Sequence, residues 1–132
     1  MRARFVNEKV IDKDRVEVDI DYGVSTTQHS EERQGRHEND FISNEEIADN
    51  VKVAMNILTK QMVRDEFNIG ERVLIKNLDS QLNIVGVPKR GGNINSISFK
   101  VITVMRHPAF RNIKDTKIIK IRDEDLKQNS YF

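Results

Sequence analysis

Hydrophobic and polar positions along the chain follow two periods, and the switch between them divides it. From Arg15 to Tyr22 they alternate strictly, with Val16, Val18, Ile20 and Tyr22 set against charged neighbours, which predicts a strand with one buried face. Residues 3–11 predict a shorter strand and Asp12-Lys13-Asp14 a turn, so residues 1–22 read as a hairpin ended by Gly23. Ser25-Thr26-Thr27 then offers hydroxyl caps for a short helix, which Gly35 weakens and which stops near Arg36-His37. Ser43-Asn44-Glu45-Glu46 matches a capping box, with Ser43 as cap and Glu46 reaching back. Ile47, Val51, Ala54, Met55, Leu58 and Met62 follow at helical spacing, so a helix of about 20 residues lays an apolar stripe on the sheet.

After Glu71 the period becomes two. Residues 72–76, 83–87 and 97–105 predict three strands, the second and third joined by a flexible basic loop, Pro88-Lys89-Arg90-Gly91-Gly92. Residues 117–122 predict an edge strand guarded by basic side chains, and the tail after Asp123 is polar and frayed. The expected fold is α+β: two helices packed on a twisted antiparallel sheet of four to six strands. One domain over residues 1–132 is expected, made of the hairpin (1–22), a helical segment (25–67), a meander (71–122) and a tail (123–132).

Composition narrows the chemistry. At 132 residues, 37% hydrophobic and 33% charged, the chain is long enough for its own core and outside the low-hydrophobicity regime of disorder. It has no cysteine, which removes thiolate catalysis and thiolate metal sites. The first residues lack the apolar segment of a leader, and no run approaches a membrane span; a cytoplasmic protein is the expectation. The net charge of +1 conceals an asymmetry: residues 1–70 hold 10 Lys/Arg against 15 Asp/Glu, whereas residues 71–122 hold 11 against 3. A basic second half suits a polyanion, because clustered cations displace the counterions of phosphates; basic residues spaced along solvated strands would look the same.

Candidate chemistry concentrates in Gln28-His29-Ser30-Glu31-Glu32-Arg33-Gln34-Gly35-Arg36-His37, which holds two of the three histidines. On a helix His29, Arg33 and Arg36 share a face, placing an imidazole beside two guanidinium groups. With Glu31 and Glu32 between them, the same spacing also describes a self-paired, solvated helix face. Three histidines without an acidic cluster make no recognisable zinc site, and there is no glycine-rich phosphate loop. No metal and no cofactor are expected. With eight aromatic residues and no tryptophan, base stacking would fall to scattered residues such as Phe99 and Phe110.

The order of these features resembles the RelE-like ribonuclease superfamily, especially its RegB-type phage endoribonuclease and BrnT-like toxin branches. Gln28-His29 followed by Arg33 is similar to the Gln-His…Arg segment of the RegB type, and the strand Phe99 to Arg106 is similar to the closing strand of the toxin branches. The likeness covers residues 22–107, with the amino-terminal hairpin and the strand after Ile113 as additions. RegB-like enzymes carry a further histidine on the second helix, whereas the region around Asp49-Asn50 has none; His107 is our substitute for it.

The resemblance implies a metal-independent endoribonuclease acting on messenger RNA. Such cleavage needs an activated 2′-hydroxyl, neutralised phosphate oxygens and a protonated leaving oxygen. His29 and His107 would exchange protons, and Arg33 and Arg106 would clamp the phosphate. Arg36, His37, Lys89, Arg90 and Lys100 would hold the flanking RNA. The alternative is a non-enzymatic phage or mobile-element protein that binds RNA or a host protein through its basic sheet. A protein inhibitor would fit the toxin-like reading, and self-association through an edge strand is a third possibility.

Overall fold

A computed structural model describes residues 2–4, 8–11, 17–36, 41–63, 69–90, 96–108, 110 and 116–129. The strands are β1 (Arg2–Arg4), β2 (Glu8–Ile11), β3 (Glu17–Thr26), β4 (Val73–Asn77), β5 (Leu82–Arg90), β6 (Ser96–Arg106) and β7 (Lys117–Ile121). The helices are α1 (Gln28–Gln34), α2 (Asn44–Val63) and α3 (Asp123–Asn129). The protein is α+β, as expected, but the sheet is mixed rather than antiparallel and there is a third helix.

The strand order is β1-β3-β6-β5-β4-β7, with β2 pairing antiparallel to β3 as the predicted hairpin partner. β4, β5 and β6 form the predicted antiparallel meander. Parallel pairing enters at both flanks: β3 lies parallel to β6, and β7 parallel to β4. No local pattern encodes that, because the partner of a strand depends on where the intervening helices return the chain.

Several boundaries moved for tertiary reasons. β3 does not stop at Gly23; pairing from Asp21↔Ser96 to Thr26↔Val101 carries it three residues further. Pro88, Lys89 and Arg90, expected in a loop, continue β5 and pair with Phe99, Ser98 and Ile97. A proline is tolerated there because the ladder with β4 ends at Val73↔Gly86, and the bond that follows on that side, from the Gly70 amide to the Pro88 carbonyl at 2.9 Å, uses an acceptor that proline retains. The expected frayed tail forms α3, because Asp79 Oδ2 accepts from the Asp123 amide at 2.8 Å and Asp125 Oδ2 accepts from the Arg122 amide at 2.8 Å. Three acidic residues in its first turn suit the positive end of the helix dipole.

The core forms where α2 lies on one face of the sheet. Ile47, Val51, Ala54, Met55 and Leu58 are fully buried with Tyr22, Val24, Phe99, Val101, Val104, Ile84, Ile75 and Ile121. Each large side chain so buried contributes roughly 2 kcal/mol of transfer free energy. The Met62 side chain lies outside the described residues. Between Val85 and Gly86 the register slips, so Ile102 is an extra residue on β6 between Val101↔Gly86 and Thr103↔Val85.

Candidate functional site

The amino end of α1 is pinned to the sheet by one residue. Thr27 donates its amide to the Val101 carbonyl (3.2 Å) and its hydroxyl to the Ile102 carbonyl (3.2 Å). It also caps the helix, its Oγ1 accepting from the Ser30 amide at 3.2 Å. Of the three hydroxyls expected to cap, Thr27 does so. Ser30 and Gln34, one turn apart, face inward and are buried. Their burial turns His29 to solvent and leaves Arg33 half-buried, while Arg36, expected on the same helix face, lies exposed beyond the helix end.

The carboxyl end of α1 is tied to the start of α2. Gln34 Nε2 donates to the Ile42 carbonyl and to Asn44 Oδ1, both at 2.9 Å, and the Ile42 amide donates to the Gln34 carbonyl at 2.9 Å. Beside this junction lies an open cleft of about 310 Å³ lined by Glu31, Gln34, Gly35, Phe41, Ser43 and Asn44. Sequence reading missed it, because Gln34 and Phe41 carry no periodic or motif signal.

The expected site residues fall into two groups. Lys100 pairs with Ser25 and Val87, on the sheet face away from α2, and its neighbour Val101 accepts from Thr27. Lys100 is therefore close in register to the first turn of α1, and it is exposed. Lys89 and Arg90 are also exposed, and Lys89 shares the Lys100 face two residues beyond Val87. Lys100 and Lys89 thus share one face of the β5–β6 pair near the start of α1, which carries His29. Arg33 and Arg36 instead stand at the carboxyl end of α1, and Arg90 pairs with Ile97 near the start of β6. His37 lies outside the described residues, as do Gly91 and Gly92.

Arg106 ends β6 and His107 follows it. His107 stands five positions beyond Ile102, whose carbonyl accepts from the Thr27 hydroxyl at the start of α1. Arg106 is engaged on the helix side of the sheet. Its Nη2 and Nη1 bind Glu46 Oε1 and Oε2 at 2.8 and 3.0 Å, and Nη1 also donates to the Ser80 carbonyl at 3.1 Å. A bidentate carboxylate occupies the geometry that a phosphate clamp would need. Glu46 therefore does not complete the expected capping box, although Ser43 Oγ does accept from the Glu46 amide at 3.0 Å. His107 is exposed, with its amide on the Gln81 carbonyl and its carbonyl accepting from Asn83 Nδ2 at 2.8 Å.

Three buried asparagines hold that end of the sheet. Asn77 Oδ1 accepts from the Asp79 and Ser80 amides, while its Nδ2 donates to Asn50 Oδ1 and Asp123 Oδ1, all between 2.9 and 3.0 Å. Asn83 Nδ2 donates to the Gln81, Met105 and His107 carbonyls. This network fixes the β4–β5 turn against α2 and α3, a structural task that explains polar residues in a core.

Among the described residues no group of three or more His, Asp or Glu side chains could hold a metal ion, and no helix is long and apolar enough to cross a membrane. No family model matches the chain, and no curated protein or solved structure matches it either.

Proposed function

We propose that this protein acts on RNA as a metal-independent endoribonuclease of the RelE-like type, with α1 as its working element. The observation that carries the reading is the outward flank of α1: His29 and Arg33 on a helix whose start is bonded to β6 beside exposed Lys100, with exposed Arg36 just past the helix end. His29 takes the proton of a ribose 2′-hydroxyl, and the oxyanion attacks the adjacent phosphorus. Arg33 neutralises the non-bridging oxygens as charge develops there. The bond to the 5′-oxygen breaks, water protonates that oxygen, and the products are a 2′,3′-cyclic phosphate and a 5′-hydroxyl. Lys100, Lys89, Arg90 and Arg36 attract the flanking backbone.

RNA binding without cleavage is the second reading. It is favoured by the commitment of Arg106 to Glu46, which takes one of the two expected phosphate-clamping arginines. Cleavage of a mixed messenger RNA in EDTA by wild type and by His29→Ala, both checked for folding by circular dichroism, decides between them. Cutting that a folded His29→Ala variant lacks supports the nuclease. Equal RNA binding with no cutting by either protein leaves the binding module.

A further inference from the structure

We infer that the cleft between α1 and α2 is a nucleobase subsite in which a base bearing an exocyclic amino group stacks on Phe41; this rests on the RNA reading above. Phe41 is 68% exposed, the most exposed of the large hydrophobic side chains in the described residues. It is also held in the left-handed region, at φ 46°, where a bulky side chain is unfavourable by about 1–2 kcal/mol. The next residue explains how it is held. Ile42 is fully buried and bonded through both its amide and its carbonyl to Gln34, so the chain cannot turn Phe41 inward without breaking that junction.

The cleft wall contains an unmet acceptor. Gln34 is 7% exposed and spends both amide hydrogens on Ile42 and Asn44. Its Oε1 is buried with no hydrogen-bond partner among the described residues. A buried carbonyl left so is unfavourable by about 1–3 kcal/mol, which a donor in the cleft would relieve once the wall gives slightly to admit it.

The lining selects the class of occupant. None of Glu31, Gln34, Gly35, Phe41, Ser43 and Asn44 is a cation, so a phosphate finds no counter-charge there. An aromatic face beside an orphan acceptor suits a flat, uncharged ring with an exocyclic amine, and about 310 Å³ is room for one base. The ring N–H of uracil instead sits between two carbonyl oxygens, which the Gln34 carbonyl would repel. Arg36 follows Gly35 directly, so a backbone held along the His29–Arg33–Arg36 flank can place a neighbouring base across the helix end. Adenine, cytosine and guanine carry the exocyclic amine; uracil does not.

Position 41 permits a test in which folding and binding move in opposite directions. Phe41→Gly removes the stacking ring while relieving the backbone, so it should unfold no more easily than wild type. Binding is read by fluorescence anisotropy of labelled 2′-O-methyl hexamers of adenosine and of uridine, which the enzyme cannot cut. We expect wild type to prefer the adenosine hexamer, Phe41→Gly to bind it about tenfold more weakly with no loss of Tm, and Phe41→Tyr to restore binding. Equal binding of the adenosine hexamer by Phe41→Gly and wild type overturns the subsite while leaving the RNA reading intact. A wild type that binds neither hexamer overturns the RNA reading and the subsite with it.

Discussion

Glu46, in the first turn of α2, and Arg106, the last residue of β6, face each other through two hydrogen bonds of 2.8 and 3.0 Å. Their side chains are only 28% and 17% exposed, so the pair is screened far less than a surface ion pair. It joins the element that covers the core to the end of the central strand, and a third bond from Arg106 to the Ser80 carbonyl includes the β4–β5 turn.

Breaking that pair should be felt as lost stability. Arg106→Ala leaves a half-buried carboxylate and the Ser80 carbonyl without their donor, and should lower unfolding free energy by about 2–3 kcal/mol. Urea denaturation of Arg106→Ala, Glu46→Ala and the double variant gives the coupling. If the double variant is no more stable than the sum of the single effects predicts, the two side chains act independently.

Gly86 is required by Phe99. A Cβ at position 86 would stand 2.3 Å from Phe99 Cε1 and 2.5 Å from the Lys100 carbonyl oxygen. Gly86→Ala must therefore push aside both a fully buried ring and a neighbouring backbone, and should destabilise by about 2–3 kcal/mol. Phe99→Leu placed on Gly86→Ala should recover little, since the carbonyl contact remains. Thermal unfolding of the three variants tests this, and a neutral Gly86→Ala would refute the close approach.

Asp49 gives a pH-dependent prediction. Partial desolvation on α2, and then the charge of Glu45, raise its carboxyl above the ordinary value of 3.8, with Lys52 opposing them; the side chain remains exposed, so the effect is small. A raised folded-state pKa means that the native state binds the proton more tightly than the unfolded chain. The penalty is thus fully present above the raised pKa and fades as pH falls through it towards 3.8. Asp49→Asn should show a slightly higher Tm than wild type at pH 7, with the two curves meeting in the acidic carboxylate range. A constant gap from pH 3 to pH 7 would mean that charge is not the cause.

Lys89 and Lys100 are exposed on one face of the β5–β6 pair. If they contact RNA phosphates, replacing either by alanine weakens binding to all sequences alike. Each substitution should also reduce the slope of log K against log salt by about one. His29→Ala, changing an exposed residue, should leave both slope and Tm unaltered while lowering any cleavage rate by about 10²- to 10⁴-fold. An unchanged slope in the double lysine variant would place the RNA elsewhere.

Local pattern determined much of this protein. The β2–β3 hairpin, the capped start and apolar stripe of α2, the β4–β5–β6 meander and the β7 edge strand all follow from periodicity and capping, which act over a few residues. The short α1 was legible for the same reason, although it ends at Gln34 and so leaves Arg36 off the helix face it was expected to share with His29 and Arg33. Tertiary structure alone decided the parallel pairings of β3 with β6 and β7 with β4, because partner choice depends on how distant segments pack. It extended β5 through Pro88, where the neighbouring strand had ended, and turned the polar tail into α3 by supplying Asp79 as a cap. It also drew Arg106 to Glu46, 60 residues away. A sequence shows which side chains can bind a phosphate; whether another side chain already holds them depends on long-range packing that no short spacing encodes.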